Sequence, residues 1–149
     1  MARLLQPDPA TAARLADLGA RAFGFSQTPW TAADFERLGE PPQGAILTDD
    51  MLQAGLIVLQ LAADEAEILN LGVIPSCRRA GLAAELLRAA EELAKACGAK
   101  RMFLEVSVEN SAARALYEKS GYTQVGERPG YYLFEDGSRT DAVVLTKTL

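Results

Sequence analysis

The stretch Glu67–Cys97, EILNLGVIPSCRRAGLAAELLRAAEELAKAC, decides how the rest of the chain can fold. Its first part, Ile68–Ile74, is a mostly apolar run of strand length that ends at Pro75, which is typical of a buried strand. From Leu82 onward, apolar side chains recur at steps of three and four residues while charged side chains occupy the other face, which predicts an amphipathic helix. The stretch therefore predicts a strand, a short turn and a helix.

The turn between this strand and this helix combines small residues with cations. The first backbone N–H groups of a helix have no intrahelical acceptor, and together with the helix dipole they attract phosphate groups. A glycine lets a ligand approach the backbone, and arginines add positive charge. The turn has neither the Gly-Lys-Ser/Thr end of a Walker loop nor the glycine triplet of a dinucleotide fingerprint. We expect it to bind a pyrophosphate through Arg78, Arg79, Ala80, Gly81, Leu82 and Ala83.

The patterns on either side of this stretch predict further helices and strands. Before it we expect a short strand near Arg3–Gln6, one helix beginning after Asp8, another beginning after Thr31, and a meander of antiparallel strands. The meander strands are Ala45–Leu47, Gln53–Leu61 and Glu65–Val73. After the stretch we expect the strand Arg101–Val106, a helix from Asn110 through Lys119, and final strands at about Tyr122–Arg128 and Ala142–Thr148, with Pro129 and Gly130 in the loop between them.

These elements predict an α/β (α+β) fold for a single domain, residues 1–149. Its mixed central sheet should have about six to seven strands, covered by about four helices.

Composition and charge limit the classes of function. The net charge of −5 argues against a general nucleic-acid binder, because such domains usually carry a basic stripe. No apolar run is long enough to cross a bilayer and the N-terminus has no signal-peptide core, so we expect a cytoplasmic protein without a membrane partner. The chain has no histidine, which leaves proton transfer to carboxylates, Tyr, Cys, Lys or water and predicts no metal site.

Glu105 interrupts the apolar strand Met102–Val106, which a right-handed crossover should place beside the strand Glu67–Val73. A carboxylate in a covered sheet is costly to desolvate unless it reaches water, has a partner or is retained for function. The end of this strand and the neighbouring helix should converge where a phosphate-bearing ligand lies. Glu105 is therefore a candidate functional residue, and a solvated carboxylate at a strand end is the alternative.

Three segments of the chain resemble the GNAT superfamily of acetyl-CoA-dependent N-acetyltransferases. The turn Arg78-x-x-Gly81-x-Ala83 resembles its pyrophosphate motif, Gln/Arg-x-x-Gly-x-Gly/Ala. The segments LEVSVENSAARALYEKSGY, Leu104–Tyr122, and GYYLFEDGSRTDAVVLTKTL, Gly130–Leu149, resemble the ribosomal-protein-alanine N-acetyltransferases within that superfamily. The first half of the chain matches loosely, mainly at Ala22–Leu38.

The resemblance implies a GNAT fold with a pocket for acetyl-CoA. The backbone of Leu71, Gly72 and Val73 would bind the pantetheine arm, the turn would hold the pyrophosphate, and Asn110 would contact the cofactor's arm. Asn110 is also a good helix cap, and one residue can do both.

The resemblance also implies two catalytic residues. Glu105 would take the proton of the incoming amine, directly or through a water, and Tyr117 would protonate the departing thiolate. As an alternative, Tyr117 could pack its ring against the core and show its hydroxyl to water.

The acceptor implied by the resemblance is the N-terminal α-amine of a small-subunit ribosomal protein that begins with alanine, modified by a monomer or weak dimer. A small-molecule amine, another protein terminus, or a non-catalytic acyl-CoA sensor are the alternatives. Trp30, Tyr131 and Tyr132 are candidate substrate contacts, although packing would also explain them. Ser107, Ile74 and Gly130 depart from the family's usual residues, at positions where we expect acceptor choice to be set.

Overall fold

The centre of the computed structural model, which describes residues 2–23, 29–134 and 136–149, is a seven-stranded mixed sheet. The strands are β1 (Ala2–Leu5), β2 (Gly44–Asp49), β3 (Gly55–Ala62), β4 (Glu65–Val73), β5 (Arg101–Ser107), β6 (Thr123–Leu133) and β7 (Arg139–Thr148). Their order across the sheet is β1-β2-β3-β4-β5-β7-β6. Only β4 and β5 pair in parallel among the described strands, because a helix connects them and all other neighbours run antiparallel.

Helices cover both faces of this sheet. They are α1 (Pro9–Ala22), α2 (Ala32–Leu38), α3 (Leu82–Ala96) and α4 (Ser111–Lys119). The apolar sides of α1 and α2 form one core cluster with β2 and β3, and those of α3 and α4 form a second cluster on the opposite face. The predicted fold class, a mixed sheet of six to seven strands with four helices, is confirmed.

Local sequence signals explain where the helices begin. Asp8 accepts the Thr11 N–H at 2.8 Å at the start of α1. Thr31 and Asp34 form a reciprocal capping box at the start of α2. Asn110 accepts the Ala113 N–H at 3.1 Å at the start of α4. No helix in the described part of the chain is long and apolar enough to cross a membrane.

The pairing of β4 with β5 stops partway along both strands. Residues Glu65–Ile68 pair with Arg101–Leu104 in parallel register, which confirms the predicted crossover. Just beyond, Leu69 is an extra residue in the β3–β4 ladder, and such a bulge bends the strand that carries it. β4 and β5 therefore part, and we call the space between Leu69–Val73 and Glu105–Ser107 the strand gap.

The prediction that Pro129 and Gly130 lie in a loop between the last two strands is wrong. Both belong to β6, where the register with β7 shifts between Arg128 and Tyr132. The Gly130 N–H donates to Asp141 Oδ1 at 2.8 Å, and the Gly130 carbonyl accepts from Arg139 at 3.0 Å. These contacts from β7 hold the irregular segment in the sheet, so β6 is longer than its local turn residues predicted.

Gly72→Ala should destabilise the protein by about 1–3 kcal/mol, the usual cost of overpacking. A Cβ at this position would lie 2.9 Å from the Ala22 carbonyl oxygen and 2.6 Å from the Phe23 ring, so the end of α1 would have to move. Gly126→Ala is the control, because a Cβ there would meet nothing within 4 Å. Urea unfolding measures the free energy of unfolding of both variants. An equal effect of the two substitutions would contradict the close approach of α1 to β4.

Candidate active site

The N-terminus of α3 presents a row of backbone N–H groups beside open space. Its cap residue, Gly81, has a left-handed φ of 85°, and no side chain caps the helix. Among the described residues, the N–H groups from Ala80 to Ala84 have no acceptor. A Cβ at Gly81 would meet nothing within 4 Å. Free N–H groups at the positive end of a helix dipole suit a phosphate.

The two arginines of this turn have different surroundings. The Arg78 Nε donates to the Val73 carbonyl at 2.8 Å, which fastens the turn to the end of β4. Arg79 has a left-handed φ of 64° and an exposed side chain. Arg78 therefore shapes the turn while its terminal nitrogens stay available, and Arg79 presents its whole guanidinium group to solvent.

The edge of β4 that faces the strand gap carries backbone groups of Leu71 and Val73. The Ile74 N–H donates to the Ala54 carbonyl at 2.8 Å, on the β3 side. Because backbone groups alternate along an antiparallel strand, those of Val73 and Leu71 point away from β3, into the gap. The Leu71 N–H is taken by the Asn70 Oδ1 at 3.0 Å, and the Val73 carbonyl by Arg78. The Val73 N–H and the Leu71 carbonyl are left facing the gap.

Gly72 differs from its two neighbours. Its backbone groups point toward Leu56 in β3, its register partner. Its Cα faces the end of α1, where only a residue without a side chain fits. Of the three β4 residues predicted for the cofactor, Leu71 and Val73 reach the gap, and Gly72 instead permits the close packing of α1.

Glu105 is the first β5 residue beyond the paired segment, and its hydrogen bonds are incomplete. The Arg128 Nη1 donates to Glu105 Oε1 at 2.6 Å. The other oxygen, Oε2, is buried and has no hydrogen-bond partner, and it is the only such side-chain atom in the part of the chain that the structure describes. A buried carboxylate oxygen without a donor is costly, so it is a ready acceptor for a proton or for a ligand N–H.

The predicted residues Tyr131 and Tyr132 lie beside Glu105. The Tyr132 hydroxyl donates to the Glu105 backbone carbonyl at 3.1 Å, and the two tyrosine rings meet edge to face at 5.0 Å. The Arg128 guanidinium carbon lies 4.5 Å from the centre of the Tyr131 ring, which suits a cation–π contact. Burial raises the pKa of Tyr132 to about 12, and the neighbouring Tyr131 and Glu105 add to the shift. Both phenols therefore stay neutral at physiological pH.

Two members of this cluster, Glu67 and Arg128, were not predicted from the sequence. Ile68 and Leu104 are paired and point into the α3–α4 core, so Glu67 and Glu105, which neighbour them along the two strands, both project from the opposite face. The Glu67 side chain makes no hydrogen bond or ion pair to a described residue. Burial and the nearby Glu105 charge raise its pKa, although Arg128 opposes them. The alternation of β4 could have placed Glu67 on this face, but no local signal pointed to Arg128.

Tyr117 points into the α3–α4 core from α4. Its side chain is buried, and its ring meets that of Tyr122 edge to face at 5.5 Å. Its hydroxyl has no hydrogen-bond partner among the described residues, yet it is not one of the fully buried unpaired atoms. Burial raises its pKa far above the ordinary tyrosine value, and Tyr132 adds to the shift. The hydroxyl therefore keeps its proton at physiological pH.

The remaining predicted residues have clear structural contacts. Asn110 caps α4 through its side-chain oxygen, and Trp30 packs edge to face between Phe23 and Phe35, with ring centres 5.6 Å apart in each pair. These contacts establish the packing and capping roles, and leave roles toward a ligand as predictions. Residues 24–28, within the loosely matching segment Ala22–Leu38, lie outside the described residues.

The chain matches the model of a known protein family. The model of the acetyltransferase (GNAT) family matches residues 14–122. The chain belongs to this family. A [ribosomal protein bS18]-alanine N-acetyltransferase of Escherichia coli (strain K12) is 34% identical over 126 residues, which cover 84% of this chain and 82% of that protein. One of Haemophilus influenzae is 32% identical over 118 residues, covering 78% and 80%.

Solved structures agree with the GNAT assignment. The crystal structure of the ribosomal-protein-S18-alanine N-acetyltransferase from Escherichia coli superposes with a TM-score of 0.81 at 27% sequence identity, covering 99% of this chain and 94% of that one. The resemblance stated from the sequence motifs is thereby confirmed, and the chain is an acetyl-CoA-dependent N-acetyltransferase. The unpaired N–H groups at the start of α3 and the open strand gap fit such a donor, whose pyrophosphate and extended amide arm need N–H donors of this kind.

Glu67→Gln should stabilise the fold at neutral pH. Folding raises the Glu67 pKa, so its charged form is disfavoured in the folded state. The resulting cost is absent below the pKa of the unfolded chain, grows as the pH rises above it, and is complete once the pH exceeds the raised pKa of the folded state. Urea unfolding should therefore show a larger free energy of unfolding for the variant at pH 7, and a difference that shrinks toward about pH 4.

Glu65→Gln is the matched control on the same strand and face. The Glu65 Oε1 accepts from the Arg101 Nη2 at 2.7 Å, so removing its charge loses an ion pair and should bring no gain in stability. A gain of equal size in both variants, or one that does not change with pH, would contradict the unfavourable setting of Glu67.

Proposed function

We propose that this enzyme transfers an acetyl group from acetyl-CoA to the N-terminal α-amine of a protein, and that the acceptor is a small-subunit ribosomal protein that begins with alanine. The observation that carries the proposal is the buried, unpartnered Oε2 of Glu105 at the strand gap, in a protein whose relatives are named [ribosomal protein bS18]-alanine N-acetyltransferases. In this proposal residues 1–149 act as one N-acetyltransferase domain, and the reaction takes place in the cytoplasm, where ribosomal proteins are made.

The donor would bind along the strand gap and the start of α3. Acetyl-CoA supplies the thioester carbonyl that the amine attacks. The turn residues Arg78–Ala83 would hold its pyrophosphate with their N–H groups and guanidinium groups. This role is supported by the N–H groups from Ala80 to Ala84, which have no acceptor among the described residues. Leu71 and Val73 would hold the pantetheine arm with the backbone groups that face the gap. Asn110 would contact the same arm while it caps α4.

Glu105 would act as the proton acceptor. An α-amine is mostly protonated below its pKa of ~8, so it must lose a proton before it can attack. Glu105 Oε2 has no hydrogen-bond partner among the described residues, while Arg128 holds Oε1 and fixes the orientation of the carboxylate. One carboxylate thus provides a proton acceptor with a fixed orientation at the gap.

Tyr117 would act as the proton donor to the departing thiolate. A general acid must still carry its proton at the working pH, and burial keeps the Tyr117 phenol neutral. Its hydroxyl is not engaged by any described residue, so its proton is available. The Val73 N–H, which faces the gap, would stabilise the negative charge that develops on the acetyl oxygen.

Tyr131 and Tyr132 would contact the acceptor peptide on the β6 side of Glu105. Tyr131 is 44% exposed, so its ring can pack on a peptide without rearrangement of the core. Trp30 would contribute from the α2 side only through its exposed edge, because Phe23 and Phe35 occupy its two neighbouring surfaces.

The experiment that tests this function is CoA-thiol release from acetyl-CoA with a panel of amines. The panel contains a ribosomal N-terminal peptide that begins with alanine, the same peptide with other first residues, a peptide with only a lysine amine, and polyamines. We expect preferential turnover of the alanine peptide. Preferential turnover of a polyamine would overturn the acceptor and keep the chemistry, and acetyl-CoA binding without turnover of any amine would favour an acyl-CoA sensor.

Glu105→Gln tests the proposed proton acceptor in the same assay. It should keep acetyl-CoA affinity and lower the rate by about 10²–10⁴-fold, with the largest loss at the lower pH values, where the amine is hardest to deprotonate. If the substitution lowers the rate by the same factor at every pH, Glu105 is not the proton acceptor.

Tyr117→Phe should lower kcat by about 10²-fold or more and leave the dissociation constant of acetyl-CoA nearly unchanged, because only the proton donor is lost. Tyr122→Phe is the matched control: its ring packs against Tyr117, but its hydroxyl donates to Glu91 at 2.8 Å. The control should lower the free energy of unfolding and keep kcat. Steady-state kinetics and calorimetry measure these quantities, and equal losses of kcat in both variants would indicate a packing role for Tyr117.

A further inference from the structure

The charged groups on the acceptor side of the strand gap do not balance. Glu67 and Glu105 project from the same face of adjacent strands, and Arg128 is the cation that faces them within the described part of the chain. Tyr131 and Tyr132, the other titratable groups of this cluster, are neutral. When both carboxyl groups are ionised, the cluster therefore carries one uncompensated negative charge.

Arg128 is committed to only one of the two carboxylates. It binds Glu105 Oε1 at 2.6 Å and stacks on the Tyr131 ring at 4.5 Å, which leaves Glu67 without an ion pair among the described residues. Glu67 is half-buried, and the attraction of Arg128 does not offset burial and the Glu105 charge, so the charged form of Glu67 is disfavoured in the fold. A residue whose charge weakens the fold and lies beside a candidate site commonly serves a ligand.

The missing partner has to be a cation that also reaches Glu105 Oε2. An N-terminal α-ammonium group has three N–H donors and one positive charge, so it can satisfy the unpartnered oxygen and balance Glu67 at the same time. The compensation is greatest for an acceptor that arrives protonated, which is the main form of an α-amine below its pKa of ~8.

We propose that Glu67 is a positioning residue that binds the ammonium group of the acceptor beside Glu105 and so selects positively charged amines. This inference rests on the proposed function and adds an acceptor-binding residue to it. Glu67 acts on binding and not on the proton transfer itself: the proton still passes to Glu105, and the neutral amine then attacks. The loss of Glu67 should therefore raise the acceptor KM and change kcat much less.

The direct test is calorimetry of CoA-loaded protein with two peptides that differ in one group. One peptide begins with alanine, and the other begins with a propionyl group, which keeps the methyl-bearing carbon skeleton and lacks the amine. At pH 7, Glu67→Gln should weaken binding of the alanine peptide about three- to fivefold, as expected for loss of one partly exposed charge pair. The propionyl peptide should bind the variant and the wild type equally within about twofold.

Two control variants separate position from charge. Glu65→Gln removes a carboxylate from the same strand and face, two residues earlier, where Arg101 already binds it, and should leave both affinities unchanged. Glu67→Asp keeps the charge and should restore most of the preference for the alanine peptide. The proposal is overturned if Glu67→Gln weakens the binding of both peptides equally or of neither peptide. It is also overturned if the affinities of Glu67→Gln match those of Glu65→Gln.

This test is independent of turnover. If the wild-type protein acetylates no peptide in the panel, the proposed function fails, whereas the affinity difference between the two peptides still reports on Glu67. If turnover is normal and Glu67→Gln leaves the acceptor KM within about twofold of the wild type, the role of Glu67 fails and the proposed function stands.

Discussion

The parting of β4 and β5 after Ile68 and Leu104 is the constraint on which the site depends. Backbone groups that a continuous sheet would pair are left open along β4, and such groups are costly unless a ligand or water satisfies them. The bulge at Leu69 bends β4 out of the ladder, and the bond from Arg78 to the Val73 carbonyl fixes the start of the turn beyond it. The unpaired end of β4 and the uncapped start of α3 thereby become neighbours in one groove.

The electrostatics of this groove follow from its two sides. On the α3 side, free N–H groups and arginines provide positive potential, which suits the phosphates of the donor. On the β6 side, Glu67 and Glu105 exceed the charge of Arg128, which suits an amine. The unpaired Oε2 of Glu105 and the raised pKa of Glu67 both weaken the fold. Sites that bind charged ligands commonly retain such costs, because the ligand supplies the missing partner.

The aromatic pair Tyr117 and Tyr122 shows how one local cluster can serve two purposes. The Tyr122 hydroxyl donates to Glu91, whose carboxylate is also bound by Lys147 at 3.1 Å, so this end of the pair is fastened to α3 and β7. The Tyr117 hydroxyl has no such partner among the described residues. Tyr122 fixes the two rings in place, and Tyr117 is left with a free hydroxyl in a fixed position.

Local patterns in the sequence determined the helices, most strand positions, the turn between β4 and α3 and the candidacy of Glu105, because each depends on residues a few positions apart. The tertiary structure alone decided which groups meet Glu105. Arg128 lies 23 residues away and reaches it only because β6 and β7 fold back beside β5. Glu67 was not singled out in the sequence, and its unfavourable charge arises from the register of β4 against β5. Pro129 and Gly130 read as a loop, and contacts from β7 hold them in a strand. In each case the deciding interaction joins residues far apart in the chain, which local propensity does not encode.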